Sequence, residues 1–476
     1  MTIEHILVLT YLVGCIGIGI LASRKVLVSR EEYWVAGRRI GTFVNAMAIM
    51  AALASGGSII GVMGLAYGRG IPYTLALFAG AVVGFPLASI LIAKPLRNFG
   101  KFTITDFLAD RYPHPIVRYA VPSIIVVSFT VYIVAQMKAA GITANALLGI
   151  PYNQAVTLAT VVFIVYVSIG GMVAITWTDV VQGVLMLLVV LGTAVALMFQ
   201  FGTPTTLIGE AARRAPEIGQ VVHMPLASYL GSFVIWAAAI SVIPHIVMRV
   251  FTAKDARGAR LSLNVAMIIY SIMILGAVLV IVPYGKTAFP DLTDADQIFL
   301  RVIQREFPPL IRGLAVAAVL AAVMSTTDAL LLACSSAISH DLLGHVIEKK
   351  FSPKTGSRIT VGMTWVIGLV AMILAYSPPK LITEFYSAAI GLLSAALFVP
   401  TIAGIWWKKA NLSGGIASLV IGAGVYLAVQ FTPGTPPLSA ILFALPASAV
   451  AMAIFGAIGR PNAPEMVEKM AHLHSS

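Results

Sequence analysis

The chain has 476 residues, of which 59% are hydrophobic and only 11% charged, with a mean hydropathy of +0.95. Soluble domains carry roughly a quarter charged residues, so a soluble globular protein is excluded. The formal charge of +12 would suggest nucleic acid in a soluble chain. Here Lys and Arg fall in short loops between apolar runs and no nucleic-acid-binding motif is present, so orientation in a lipid bilayer accounts for them.

Apolar windows long enough to cross a bilayer predict helices at about 3–23, 42–67, 73–93, 117–147, 153–171, 178–199, 226–250, 263–284, 312–338, 359–377, 382–407, 413–431 and 438–458. These thirteen spans describe an all-α integral membrane protein. The first is apolar from about Ile6 to Leu21 with no basic segment before it, and reads as a retained helix rather than a cleaved signal. An odd number of spans puts the termini on opposite sides. With the N-terminus outside, the inner loops, from Arg24 and Lys25 to Arg460 and Lys469, hold 22 basic residues against 8 in the outer loops. That bias predicts a cell-membrane protein with an outer N-terminus and a cytoplasmic C-terminus.

The largest outer loops, about 200–225 and 285–311, have room for short surface helices but for no soluble domain. There is no P-loop, nucleophile elbow or His–Glu metal signature, so neither an enzyme nor an ATP-driven pump is expected. Transport would draw on an ion gradient, and no obligate protein partner is evident. Cys15 and Cys334 each lie in an apolar segment, which argues against a disulfide framework. Helices two to six begin inside and helices seven to eleven begin outside, with similar spacing, which is the pattern of two inverted five-helix repeats. The expected division is an N-terminal helix and loop (1–41), a repeat core (42–407), and two final helices with a short tail (408–476).

Along the chain, the second span is interrupted by Ser55-Gly56-Gly57-Ser58. Each Gly costs a helix about 1 kcal/mol relative to Ala, and Ser competes for the backbone. An unwound turn there frees the carbonyls of Ala51 and Ala54, which lipid cannot solvate but a cation can. Close packing between helices is the plainer use of such residues. On the fourth span Ser128, Tyr132 and Gln136 recur every four residues as one polar stripe, which lines a substrate path or bonds across helices; Lys138, off that stripe, pairs or snorkels. Asp179 sits near the expected inner end of a helix, where a capping role is the plain alternative.

The ninth span contains Ala321-Ala322-Val323-Met324-Ser325-Thr326-Thr327-Asp328. Hydroxyls and carbonyls with few formal charges suit an alkali cation, whereas a divalent ion needs more carboxylates. Asp328, three residues from Ser325, shares its face, and an ionisable group at membrane depth is a functional candidate unless it merely pairs. Trp406-Trp407-Lys408-Lys409 is an interfacial anchor.

Together these segments resemble the sodium:solute symporter family. The resemblance is carried by Glu32-Tyr33-Trp34-Val35-Ala36-Gly37-Arg38, by Ile169-Gly170-Gly171-Met172 with Trp177-Thr178-Asp179-Val180-Val181-Gln182, by Pro244-His245-Ile246-Val247-Met248-Arg249, and by Ala321 to Asp328 with Cys334-Ser335-Ser336-Ala337 and Asp341-Leu342. It implies a leucine-transporter-type core with one helix added before it. It also implies a sodium site at Ala51, Ala54, Ala322, Ser325 and Thr326, with Asp179 in a further sodium site or exit path. Proline-transporting members carry an acidic residue where Leu53 stands, and Asp328 replaces a residue that is small or polar in several members. Lys94-Pro95-Leu96-Arg97-Asn98-Phe99-Gly100-Lys101-Phe102-Thr103, Tyr132-Ile133-Val134-Ala135-Gln136-Met137 and Ala337-Ile338-Ser339-His340-Asp341-Leu342 look like the acetate and monocarboxylate branch. The expectation is a sodium-coupled symporter of a small organic anion bound by Ser55, Gly56, Ser58, Tyr132 and Gln136. Asp328 would tune the sodium site. Pantothenate-type or proline-type symport, and a proton-coupled carrier using Asp328 or Asp179, are the alternatives.

Overall fold

A computed structural model of the chain describes residues 2–26, 35–221, 224–343 and 353–474. Glu32 to Trp34 of the first inner-loop segment lie outside the described residues. Eleven described helices are long and apolar enough to cross a membrane. They are α1 (Ile3–Val26), α3 (Ile71–Leu91), α4 (Pro115–Leu148), α6 (Met172–Phe201), α7 (Leu226–Thr252), α8 (Ala256–Ala288), α9 (Pro309–Leu342), α10 (Pro353–Ala375), α11 (Ile382–Trp406), α12 (Leu412–Gln430) and α13 (Ile441–Ile458). The bent pair Thr42–Leu53 and Gly57–Arg69, turned by 58°, is α2, and the shorter apolar helix Tyr152–Ser168 is α5. All thirteen expected positions are thus filled. Short helices Pro204–Arg214 and Ile298–Glu306 occupy the two long loops, as expected.

The boundary between α5 and α6 differs from the expectation. The run Tyr152–Phe201 is helical throughout, yet the Tyr166 and Thr178 hydroxyls are 2.5 Å apart. Twelve residues of straight helix would separate them by about 18 Å. The chain therefore folds back between the two spans, and Trp177-Thr178-Asp179 stands inside α6 rather than at its cap.

The first helices of the two five-helix sets, α2 and α7, are both interrupted. In α7 the break follows from sequence: Pro244 has no N–H to donate and pushes Ile243 into the extended region, at φ −66° and ψ 117°. The Thr42–Leu53 and Pro244–Thr252 halves are stitched together. Asn45 Nδ2 donates to the Arg249 carbonyl at 3.0 Å, the Thr252 hydroxyl donates to Asn45 Oδ1 at 3.2 Å, and Ile40 bridges to Ala253. The second half of α2, Gly57–Arg69, is held by the loop after α8 and by α11. Tyr67 Oη donates to the Phe289 and Pro290 carbonyls at 2.5 and 2.9 Å, and Arg69 pairs with Glu384 at the start of α11.

Lys138 pairs rather than snorkels. Its ammonium, almost fully buried in α4, lies 2.6 Å from Asp296 and also donates to the carbonyls of Pro379 and Lys380. Asp296 in turn accepts the Ile382 N–H at 3.1 Å. Burial outweighs the Lys138 charge and pushes the Asp296 carboxyl up to about 6. Such a pair binds three elements at one point, but breaking it leaves a buried charge without compensation. Lys138→Met is expected to destabilise the protein by about 3–5 kcal/mol, read as a lowered Tm in detergent. Lys138→Met with Asp296→Asn should recover part of that loss; equal losses in the single and double variants would refute the pairing account.

Candidate ion and substrate site

The break in α2 is resolved residue by residue. Ala54 leaves the helical region at ψ 62°, while the Ser58 hydroxyl donates back to the Leu53 carbonyl at 2.8 Å and the Ser58 N–H reaches Ser55 Oγ at 3.1 Å. The Gly56 N–H, which the break would orphan, donates to Gln136 Oε1 of α4 at 2.9 Å, and Tyr132 Oη donates to Ser55 Oγ at 3.3 Å. The expected stripe of α4 therefore meets the expected break, though Ser128 Oγ has no partner among the described residues. Ser58 Oγ also lies 3.2 Å from Tyr270 Oη of α8.

On the other side of the break stands α9. Ser325 Oγ donates to the carbonyls of Ala51 at 2.9 Å and Ala322 at 3.2 Å, and Thr326 Oγ1 donates to the Ala52 carbonyl at 2.9 Å. Ala51, Ala322, Ser325 and Thr326, four of the five residues that the family resemblance implies for a sodium site, lie together here. The hydroxyl bonds go to Ala51 and Ala52 and do not include Ala54. Three carbonyls and two hydroxyls, all neutral oxygens and all buried, form a donor set that fits a monovalent hard cation.

The two acids behave differently. Asp179 places one oxygen 2.5 Å from the guanidinium of Arg249, which also donates to Thr176 Oγ1 at 2.6 Å; the other Asp179 oxygen has no partner among the described residues. Asp328 is fully buried, and neither carboxylate oxygen has a hydrogen-bond partner among the described residues, so structural pairing does not account for it. Near these acids Gln182 donates to Tyr11 Oη at 3.0 Å, bringing α1 against the core.

Sequence reasoning missed the aromatic wall. Tyr132 stacks on Tyr386 of α11 with ring centroids 4.5 Å apart, Trp236 meets Tyr386 edge-on, and His245 meets Phe129 and Tyr132 edge-on. Trp236, His245 and Ser241, whose hydroxyl has no partner among the described residues, surround the α7 break. Pro244 is the one local signal that marked this break.

A model of the sodium:solute symporter family matches residues 33–422. The chain is 28% identical over 438 residues to the osmoregulated proline transporter OpuE of Bacillus subtilis, covering 90% of this chain and 89% of that protein. It is 27% identical over 407 residues to the sodium/pantothenate symporter of Haemophilus influenzae, covering 83% of each. Among solved structures, the substrate-bound outward-open state of a Na+-coupled sialic acid symporter superposes with a TM-score of 0.82 at 17% identity, covering 97% of this chain and 98% of that one. A nucleobase-cation-symport-1 family transporter in a closed conformation gives a TM-score of 0.57 at 16% identity, covering 94% and 100%. These likenesses identify the fold as leucine-transporter-type.

The two glycines of the α2 break have no room for a side chain. A Cβ on Gly56 would lie 2.6 Å from Val323 Cγ2 and 2.8 Å from Ala139 Cβ, and one on Gly57 would run into the Tyr386 ring. Gly56→Ala is expected to cost about 1–3 kcal/mol through overpacking, read by thermal unfolding, with Gly57→Ala at least as costly. Wild-type stability in both would contradict this packing.

Proposed function

The chain belongs to the sodium:solute symporter family, and from that premise we propose that it imports a small monocarboxylate together with sodium. As a family member it is a multi-pass secondary transporter that couples a small solute to sodium. The carboxylate reading rests chiefly on Gln136. Its carbonyl oxygen is committed to the Gly56 N–H, which fixes the amide so that Nε2, fully buried, is left without a partner among the described residues. An unpaired donor beside the end of a half-helix favours an anionic oxygen. Ser55, Gly56, Ser58, Tyr132 and Gln136 form the proposed substrate cradle. Leu53, in place of an acid, weighs against proline, and the acetate-branch resemblance of the loop and exit segments weighs in the same direction.

Sodium is assigned to Ala51, Ala322, Ser325 and Thr326, with Ala54 included on the family resemblance alone and the bundle oriented N-terminus outside. The hydroxyls of α9 already reach the carbonyls freed by α2. Rotating their hydrogens outward presents lone pairs to a cation without moving the backbone. A cation held there ties α2 to α9 and, by linkage, raises affinity for substrate on the other side of the break.

Uptake of labelled acetate, pyruvate, proline and pantothenate into proteoliposomes, with sodium and proton gradients imposed separately, tests the proposal. Carboxylate uptake driven by sodium alone is expected; transport of proline but not of acetate or pyruvate would reject the substrate. Ser325→Ala with Thr326→Ala should raise the sodium concentration for half-maximal uptake at least tenfold, the loss of about two charge-assisted contacts. An unchanged requirement would overturn the assignment.

Asp328 favours a second reading, because an unpaired buried carboxyl is also what a proton carrier needs. Asp328→Asn keeps the shape and removes the charge. If Asp328 tunes the cation site, alone or with Asp179 in a second one, this variant weakens sodium affinity and retains transport. Unchanged sodium affinity with lost pH dependence would select the proton carrier.

A further inference from the structure

Two segments that the sequence marks only for kinship meet in the fold. The run ending at Phe102-Thr103 leads into the short helix Ile104–Arg111, in the loop between α3 and α4. The segment Ala337–Leu342 ends α9 as a widened π turn, a form frequent at functional sites. Where they meet, Asp106, His340 and Asp341 bring three ligand atoms within 4.8 Å of one another.

The first ligand is held by its own helix. Asp106 Oδ2 accepts the N–H groups of Phe102 and Thr103, each at 3.2 Å, in a reciprocal cap with the Thr103 side chain. Oδ1 is thereby aimed at His340, 3.3 Å from Nε2, and Phe102 meets the imidazole edge-on. Hydrogen bonds that fix a carboxylate in this way are what orients a metal ligand.

A hydrogen-bonded His–Asp pair would account for Asp106 and His340 alone. It leaves Asp341 unexplained, which is 9% exposed and has no ion pair with Lys or Arg among the described residues. The nearby lysines are taken, since Asp110 holds Lys101 at 2.7 Å and Lys469 at 2.9 Å. Two carboxylates thus converge on one imidazole, where like charges repel unless a cation joins them. The Thr105 hydroxyl is a separate sign of a missing ligand. Thr105 is 3% exposed, and its hydroxyl lies beside Asp341 yet out of hydrogen-bond geometry, with no partner among the described residues. All four residues line one cavity of about 570 Å³, which has room for an ion and its waters.

The donor set narrows the ion. Ligand atoms about 2.1 Å from a tetrahedral ion stand about 3.4 Å apart, which the His340–Asp106 separation of 3.3 Å matches. Asp341 then has at most about 1.4 Å to close. The two carboxylates balance a divalent charge, and the imidazole nitrogen favours a first-row transition ion or zinc over Mg2+ or Ca2+.

We propose that Asp106, His340 and Asp341 bind one Zn2+ or similar divalent ion, which cross-links the end of α9 to the helix Ile104–Arg111. The Thr105 hydroxyl is placed to hold a water on that ion. The site lies about 20 Å along α9 from Ser325, so it is independent of the solute carried.

The test is equilibrium dialysis of the full-length, untagged protein in detergent against Zn2+, with Tm followed in parallel. One Zn2+ per chain is expected, and Tm should rise over the same concentrations, because the ion binds only the folded chain. Asp106→Asn, His340→Gln and Asp341→Asn should each weaken binding at least about tenfold, no less than the loss of an outer-shell partner does. The metal-free Tm of each variant shows whether it folds, and if one does not, the other two decide. His114→Gln, which changes another residue of the same cavity, should bind Zn2+ as the wild type does. Mg2+ in about a hundredfold excess should not displace it. Absent or unsaturable binding, binding unaffected by the three substitutions, or equal weakening by His114→Gln overturns the site. Displacement by Mg2+ overturns the class of ion.

Discussion

Hydrocarbon offers no hydrogen bonds, so every backbone group released by a broken helix must be met from within the protein. The interruption of α2 at Ser55 sets this requirement, and much of the core answers it. Gln136 takes the Gly56 N–H, Ser58 turns back to Leu53, and Ser325 and Thr326 take the carbonyls of Ala51 and Ala52. Three helices are thereby ordered around one irregular turn. The same requirement explains why the turn is made of Ser and Gly. Side chains here must either supply a hydrogen bond or be absent, because Val323, Ala139 and Tyr386 already fill the space.

Charge is placed with similar economy. Arg249 lies opposite Asp179 and Lys138 opposite Asp296, each pair buried and each joining elements far apart in sequence. Ion pairs of this kind add little net stability, since desolvation offsets their attraction, but they penalise any arrangement that separates them. Lys138 fixes the region where α4, the loop after α8 and the start of α11 meet. Arg249 fixes the second half of α7, Pro244–Thr252, against α6. Asp328 stands outside this pattern as a carboxyl with no partner among the described residues, and that contrast is what separates it from the structural acids.

Much of this was legible in the sequence because the bilayer imposes simple rules. The apolar windows placed the spans, the Ser-Gly-Gly-Ser interruption placed the α2 break, and a spacing of four placed Tyr132 and Gln136 on the face that meets it. Adjacent hydroxyls in an apolar stretch identified Ser325 and Thr326. What escaped were features that need a partner distant in the chain. Asp296 is 158 residues from Lys138 and lies in a loop with no periodicity to read. Tyr386 and Trp236 lie in strongly apolar helices and look like core. The α7 break has no glycine; Ser241-Val242-Ile243 reads as continuous helix until Pro244 is weighed for its effect on the residue before it. The reversal between α5 and α6 was misplaced by several residues because the turn itself is helical and carries no polar interruption.

The arrangement also gives a physical reason for coupling. Ala51, which offers a carbonyl to α9, and Ser55, which faces the α4 stripe, are only four residues apart on either side of one break. A cation on the first side and a carboxylate on the second would sit within a few ångströms in a medium of low dielectric, where opposite charges attract far more strongly than in water. Both proposed cradles are built from neutral donors, so either ion alone would enter without a countercharge, and burying an uncompensated charge is costly. Each therefore lowers the cost of the other. Reciprocity then follows from linkage: sodium must raise affinity for the acid by the same factor as the acid raises affinity for sodium.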